Sequence, residues 1–222
     1  MHDGKEGWYG KVGGIWQDVN LVAVPLRWIE QVHVTTDIHS GTVTVEIGLA
    51  GTSGQQTNNE PQARISEQPN APVRLTAGAR EGSYIATINV VNHRLWDTYD
   101  PYLYTLTVSL DSIVDTTDEV TVRFGFREVS TRDGKIFLNG QPIYLLSALD
   151  QDMYADTIYK VPSEEFLRDQ FRKAKELGLN CLRCHIKPPD PLYLDLADEM
   201  GLLVWTEIPS WRTFYLRGSI HK

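Results

Sequence analysis

The pattern of apolar and polar positions changes character near Arg127. From Trp28 to Phe126 apolar residues recur at every second position in short runs. Ile29–Thr36 and Thr42–Leu49 alternate in this way around Ser40-Gly41, and further runs read at Pro72–Thr76, Tyr84–Val91, Tyr102–Leu110 and Glu119–Arg127. The clearest puts Tyr102, Tyr104, Leu106, Val108 and Leu110 on one face and Leu103, Thr105, Thr107 and Ser109 on the other. Gly51–Gln62 is polar and reads as a loop. Six or seven short strands over about 100 residues, separated by turns, predict an immunoglobulin-like β-sandwich. No cysteine pair crosses it.

Beyond Arg127 the period lengthens. Val129–Pro142 reads as a hairpin with turns at Asp133-Gly134 and Asn139-Gly140. Ile143–Leu149 is an apolar run, followed by Asp150, Gln151 and Asp152. Ser163 caps a helix with Glu164 and Glu165 in its first turn and Phe166, Leu167, Phe171, Ala174 and Leu177 as its apolar face. Gly178 stops it, and the apolar run Leu179–His185 follows. Asp190 and Pro191 start a second helix with Leu192, Leu196, Ala197 and Met200 on one side and Gly201 as its stop. Leu202–Thr206 is a continuous apolar run ending at Glu207. This β-α-β-α-β order predicts parallel strands buried under helices, with polar residues at the C-terminal strand ends, where parallel α/β folds place their chemistry.

The amino-terminal stretch Trp8–Pro25 is rich in Gly and aromatic residues, and Ile15–Val24 has strand character. A lone strand cannot bury itself, so residues 1–25 read as the tail of a preceding domain.

Composition narrows the function classes. The 222 residues are 41% hydrophobic and 23% charged, ordinary for a globular protein. A net charge of −8 argues against nucleic acid as partner. No apolar run approaches the roughly 20 residues of a membrane span. Met1–Gly7 is polar, without the apolar core of a secretory leader, which points to a cytoplasmic product. The two cysteines, Cys181 and Cys184, form a C-x-x-C pair. On a strand their Cα atoms lie about 10 Å apart and on opposite faces, beyond disulfide reach, and no second pair completes a zinc site. They read as buried small residues, and no metal or cofactor is expected.

Several phrases carry a resemblance. G-G-I-W-Q-D-V (Gly13–Val19), L-W-D-T-Y-D-P-Y-L-Y-T-L (Leu95–Leu106), F-G-F-R-E-V (Phe124–Val129), F-L-N-G-Q-P-I (Phe137–Ile143) and N-C-L-R-C-H-I-K-P (Asn180–Pro188) with D-E-M-G-L-L-V-W (Asp198–Trp205) follow in order. Together they resemble glycoside hydrolase family 2, the retaining β-galactosidases, β-glucuronidases and β-mannosidases. The resemblance implies a jelly-roll sugar-binding tail at residues 1–25 and an immunoglobulin-like β-sandwich at residues 26–127. It further implies, at residues 128–222, the first part of a TIM (β/α)8 barrel, about three βα units.

The implied activity is retaining hydrolysis of terminal β-glycosidic bonds of carbohydrates. The resemblance puts both catalytic glutamates on later barrel strands, so the expectation is a fragment without catalytic residues of its own, inactive alone and prone to self-association through an incomplete barrel. A non-catalytic carbohydrate-binding or scaffold module is the alternative. The compartment of the parent, cytoplasmic or periplasmic/secreted, does not follow from the resemblance. The pattern also departs from the family. Leu146, Ser147, Leu149 and Gln151 replace an expected Arg-Gly, Asn and His, and only Asp152 keeps an acid there. Ile186 and Lys187 stand where His and Tyr are expected. Sugar specificity therefore does not carry over.

Arg183 matches the family arginine that supports the nucleophile, with Cys181 and His185 on the same strand face. Glu207 is expected to be a supporting or sugar-contacting acid. Asp152 is a rim candidate, with a solvated loop acid as the plain alternative. Lys187 joins the supporting group, and Trp211 is either a sugar-stacking platform or a rim cover. Trp96 and Tyr99 could contact sugar, but packing is the commoner use of large aromatics.

Overall fold

The computed structural model describes residues 14–51, 60–111 and 117–208. Contacts divide the chain into two compact units, Leu21–Ile143 and a second made of Tyr144 onward with the segment up to Asn20.

Alternation decides the first unit. Among the described residues seven strands form two antiparallel sheets. One has the order β1 (Arg27–Asp37), β2 (Thr42–Gly51), β5 (Ser83–Asn89), β4 (Val73–Ala77), and the other β3 (Gln62–Ile65), β6 (Tyr104–Leu110), β7 (Asp118–Phe124). That order is the constant-type immunoglobulin arrangement. Val43, Val45 and Ile47 of β2, Ala86 and Ile88 of β5, and Leu106 and Val108 of β6 face one another in the core and are fully buried or nearly so. The inward residues are mostly β-branched or aromatic, which suits a pleated surface.

Tyr104 opens β6, and its hydroxyl accepts from the Arg94 backbone N–H at 2.8 Å, the tyrosine corner of this fold. Trp96 is fully buried under Arg127, whose guanidinium lies 4.7 Å from the ring, while Tyr99 is 95% exposed. Trp96 is thus a packing anchor. Strand β3 is absent from the sequence reading, because four residues with only Ala63 and Ile65 facing inward carry too little periodicity.

The stretch Val129–Ile143 is a three-stranded meander of β8 (Val129–Arg132), β9 (Lys135–Leu138) and β10 (Gln141–Ile143). Both turns have consecutive left-handed residues: Asp133 and Gly134 at φ 50° and 70°, Asn139 and Gly140 at φ 52° and 74°. Positive φ at both central positions is what a tight hairpin of this hand requires. The division expected at residue 127/128 and the contact boundary after Ile143 differ. Asn139 accounts for this. Its amide donates to the Trp96 carbonyl at 2.9 Å and its side-chain oxygen accepts from Glu128 N at 2.9 Å, tying the meander to the sandwich.

In the second unit β11 (Ser147–Asp150), β12 (Cys181–Cys184) and β13 (Leu203–Thr206) are parallel, in that order, with Leu149, Arg183 and Trp205 in register. Helices α1 (Glu164–Glu176) and α2 (Pro191–Met200) form the crossovers. Ser163 accepts from Phe166 N at 3.1 Å to cap α1, and Asp190 accepts from Leu192 N at 3.0 Å to cap α2. Leu167, Phe171 and Ala174 of α1 pack with Tyr193, Leu196 and Ala197 of α2 over Leu182 and Cys184.

Three expectations change here. Leu177 is 80% exposed and Phe166 half-exposed, because the seam narrows to the i, i+4, i+7 row Leu167–Phe171–Ala174. The first strand starts at Ser147, not Ile143, and Leu146 and Leu149 are half exposed. The segment Ile15–Val24 forms no strand, and Ile15 is 84% exposed. Alternation alone cannot make a strand without a neighbour to take its backbone hydrogen bonds.

Candidate active site at the strand ends

The parallel sheet collects its polar residues where β11, β12 and β13 end. On β12, residues of one parity pack against the helices: Leu182 and Cys184 lie in the apolar core with α1 and α2. Arg183 has the other parity and faces away from that core. Strand β13 ends one residue before Glu207, so the parallel register carries that carboxylate to Arg183, 24 residues away in sequence.

Arg183 donates from Nε to Glu207 Oε1 at 2.6 Å, and a terminal guanidinium nitrogen sits 2.5 Å from the same oxygen. The other oxygen, Oε2, accepts from Ile186 N at 2.9 Å and lies 3.1 Å from His185 Nδ1. A carboxylate facing Nδ1 fixes the proton on that nitrogen. Burial pushes the Glu207 pKa up, but the Ile186 N–H, the Arg183 guanidinium and His185 together outweigh it and hold the carboxyl below its ordinary value. Glu207 is therefore an anchored anion with both oxygens occupied. It is poorly suited to donate a proton and well suited to orient its neighbours. Arg183 uses only part of its five-donor guanidinium here and is partly exposed, so it can meet a second anion.

A second cluster lies beside the first. Asp150 ends β11, and its Oδ1 accepts from Asp152 N at 2.7 Å. Its Oδ2 accepts from the Tyr193 hydroxyl at 2.9 Å and from Gln170 at 3.1 Å. Its carbonyl accepts from His185 N at 2.9 Å. Asp152 and Lys187 are both buried, with Lys187 Nζ 2.7 Å from Asp152 Oδ2. That oxygen meets the ammonium as an ion pair but has no partner in hydrogen-bonding geometry, whereas Oδ1 accepts from the Tyr154 hydroxyl at 2.7 Å. Burial raises the Asp152 pKa against the pull of Lys187. It also drives the Tyr154 and Tyr193 hydroxyls well above their usual range, so both stay protonated donors.

The expected site residues thus fall into two groups. Arg183, His185 and Glu207 come together at the strand ends. Asp152 and Lys187 also meet, but inside the unit. The rim placement of Asp152 and its solvated-acid alternative are corrected, because the loop after β11 folds over it. Lys187 is fully buried and does not face solvent. Trp211 lies outside the described residues. Asp150 and Tyr193 carry the network and escaped the sequence reading. Asp150 stands at a strand end in the sequence, but nothing in the pattern of the second helix singles out Tyr193. Cys181 and Cys184 are free and buried, with the Cys184 thiol pushed up to about 12 by burial, so neither is a nucleophile at neutral pH. Among the described residues no three His, Cys, Asp or Glu side chains form a metal-binding group.

Along the chain, then, an immunoglobulin-like sandwich is followed by parallel βα units with a charged cluster at their strand ends. Two family models match: glycosyl hydrolases family 2 over residues 28–127, and the TIM barrel domain of the same family over residues 129–216. The chain belongs to glycosyl hydrolases family 2. It is 33% identical over 210 residues to a β-galactosidase of Thermoanaerobacter pseudethanolicus, covering 92% of this chain and 28% of that protein. It is 29% identical over 210 residues to a β-galactosidase of Enterobacter cloacae, covering 89% of this chain and 20% of that one. Among solved structures, β-glucuronidase 3 of Bacteroides uniformis matches with a TM-score of 0.72 and 27% identity, over 89% of this chain and 25% of its own. The chain spans about a quarter of the length of the relatives it matches.

Proposed function

We propose that the chain is part of a retaining β-glycosidase that cleaves terminal β-glycosidic bonds. Its Arg183–His185–Glu207 cluster would form one wall of the sugar site. The observation that carries this reading is the position of that cluster at the C-terminal ends of adjacent parallel strands, where barrel enzymes build their sites. The family resemblance assigns the acid/base and the nucleophile to glutamates of the fourth and seventh barrel strands. Retaining chemistry needs two carboxyls about 5–5.5 Å apart, one ionised. In this reading Glu207 is neither. It fixes Arg183, and Arg183 offers its remaining donors to the nucleophile, holding it ionised and aimed at the anomeric carbon.

The relatives named β-galactosidase and β-glucuronidase support the reaction class and divide on the sugar. The departures at Ile186 and Lys187 keep the sugar open among these. The test is an assay of two chains on aryl β-galactoside, β-glucuronide and β-mannoside. The 222-residue chain is expected to be inactive. A chain continuing through a complete barrel is expected to hydrolyse one of the three, with the first product retaining the β configuration by NMR. Sugar binding without hydrolysis by the longer chain would replace this reading with a carbohydrate-binding module.

A further inference from the structure

Lys187 is buried completely, yet it is a charged residue beside a site that has no use for it as a substrate contact. Its ammonium donates to the carbonyls of Asp152 and Tyr159, each at 2.7 Å, and forms an ion pair with Asp152 Oδ2 at 2.7 Å. Three rings surround it, Tyr159 at 4.2 Å, Trp16 at 5.1 Å and Tyr154 at 5.9 Å. Trp16 packs edge-on against Tyr159 at 4.9 Å, and Asp18 pairs with Lys160 at 2.6 Å, so the Trp16 segment closes the cage. Such burial is costly and is tolerated only when the charge is paired and its donors are satisfied.

The place of Lys187 in the chain gives the cage a purpose. It follows Ile186, a β-branched residue at φ 50°. Left-handed backbone is strained for such a residue, so something must hold it. That turn is what aims the Ile186 N–H at Glu207. Across the cluster Asp152 has φ 49°, and both its carbonyl and its carboxylate bind the same ammonium. One buried charge therefore ties together two strained turns, one after β11 and one after β12.

We infer that Lys187 is a positioning residue whose caged ammonium locks the Ile186 turn and so keeps the Ile186 N–H and His185 on the Glu207 carboxylate. The consequence for catalysis rests on the proposed glycosidase reading, but the positioning itself does not.

The test uses the 222-residue chain and the variants Lys187→Met, Lys187→Met with Asp152→Asn, and Lys173→Met as a surface control. Hydrogen exchange by mass spectrometry reads the Ile186 amide. A thermodynamic cycle with Glu207→Gln, followed from neutral to acid pH, reads the coupling. Lys187→Met alone strands a buried carboxylate, so the double variant is the decisive one. It should stay folded, exchange the Ile186 amide at least about tenfold faster, and lose most of the effect of Glu207→Gln on the thermal midpoint. The control should change neither. Wild-type exchange and an undiminished Glu207→Gln effect in the folded double variant would overturn the inference. A double variant that does not fold would also overturn it, because the pair would then be a fold determinant. None of these readouts involves glycoside turnover, so a failure of the glycosidase reading would be seen separately.

Discussion

Arg183 and Glu207 are joined by two close contacts to a single carboxylate oxygen, at 2.6 Å from Nε and 2.5 Å from a terminal nitrogen, across the ends of neighbouring parallel strands. The other carboxylate oxygen is left to Ile186 and His185. This division of labour makes Glu207 an orienting group and leaves Arg183 with donors to spare.

In a chain with a complete barrel, Arg183→Lys is expected to lower kcat by about two orders of magnitude, roughly 2.7 kcal/mol of lost electrostatic positioning, because an ammonium cannot reproduce the guanidinium fork. The thermal midpoint should stay close to that of the parent. Normal turnover, or a loss that merely follows lowered stability, would make Arg183 structural.

The depressed pKa of Glu207 gives a stability signature with a definite sign. The folded state holds this carboxyl ionised below its unfolded value, so the stabilisation is full above the unfolded pKa and fades as pH falls through the folded one. Glu207→Gln should therefore lower the midpoint at neutral pH, and the gap from wild type should close on acidification. A gap that widens in acid would contradict the assignment. Circular dichroism melts across the acid range decide it.

Tyr104→Phe removes only the hydroxyl that binds Arg94 N. The lost bond should cost the sandwich about 1 kcal/mol, with more if the partly buried N–H finds no water. Leu106→Ala, at a fully buried position, should cost about 2–5 kcal/mol. Urea unfolding should return the two values in that order.

Among the described residues β11 and β13 each have one partner strand, and Leu149 and the 56% exposed Trp205 lie on the sheet face opposite the helices. Unpaired edges and an uncovered apolar face invite association. The 222-residue chain should show concentration-dependent self-association in sedimentation, weakened by Trp205→Lys. A monodisperse monomer across the accessible concentration range would refute this.

Local chemistry made much of this molecule legible. Asn139-Gly140 and Asp133-Gly134 specify their turns because few other pairs accept two consecutive positive φ values. Ser163 and Asp190 mark helix starts because their side chains cap the orphan amides. The candidate site was legible as a set of strand-end residues, but not as a geometry. Glu207 could be paired with Arg183 only after the parallel register was fixed, and Asp152 read as a rim candidate or a solvated loop acid because nothing in a D-x-D sequence reveals burial.

What the sequence determined alone is therefore the periodicity, the turns, the caps and the β-α-β-α-β order of the second half. Each of these depends on residues within about one or two turns of chain, and their physics acts at short range. Tertiary structure decided the rest. It paired β3 with β6, left Ile15–Val24 without a strand, moved Lys187 and Asp152 inside, and set Arg183 against Glu207. In each case the outcome depends on whether distant groups can supply hydrogen bonds or opposite charge. A strand needs a neighbour, and a buried ion needs a partner, and neither is written in the residues next to it.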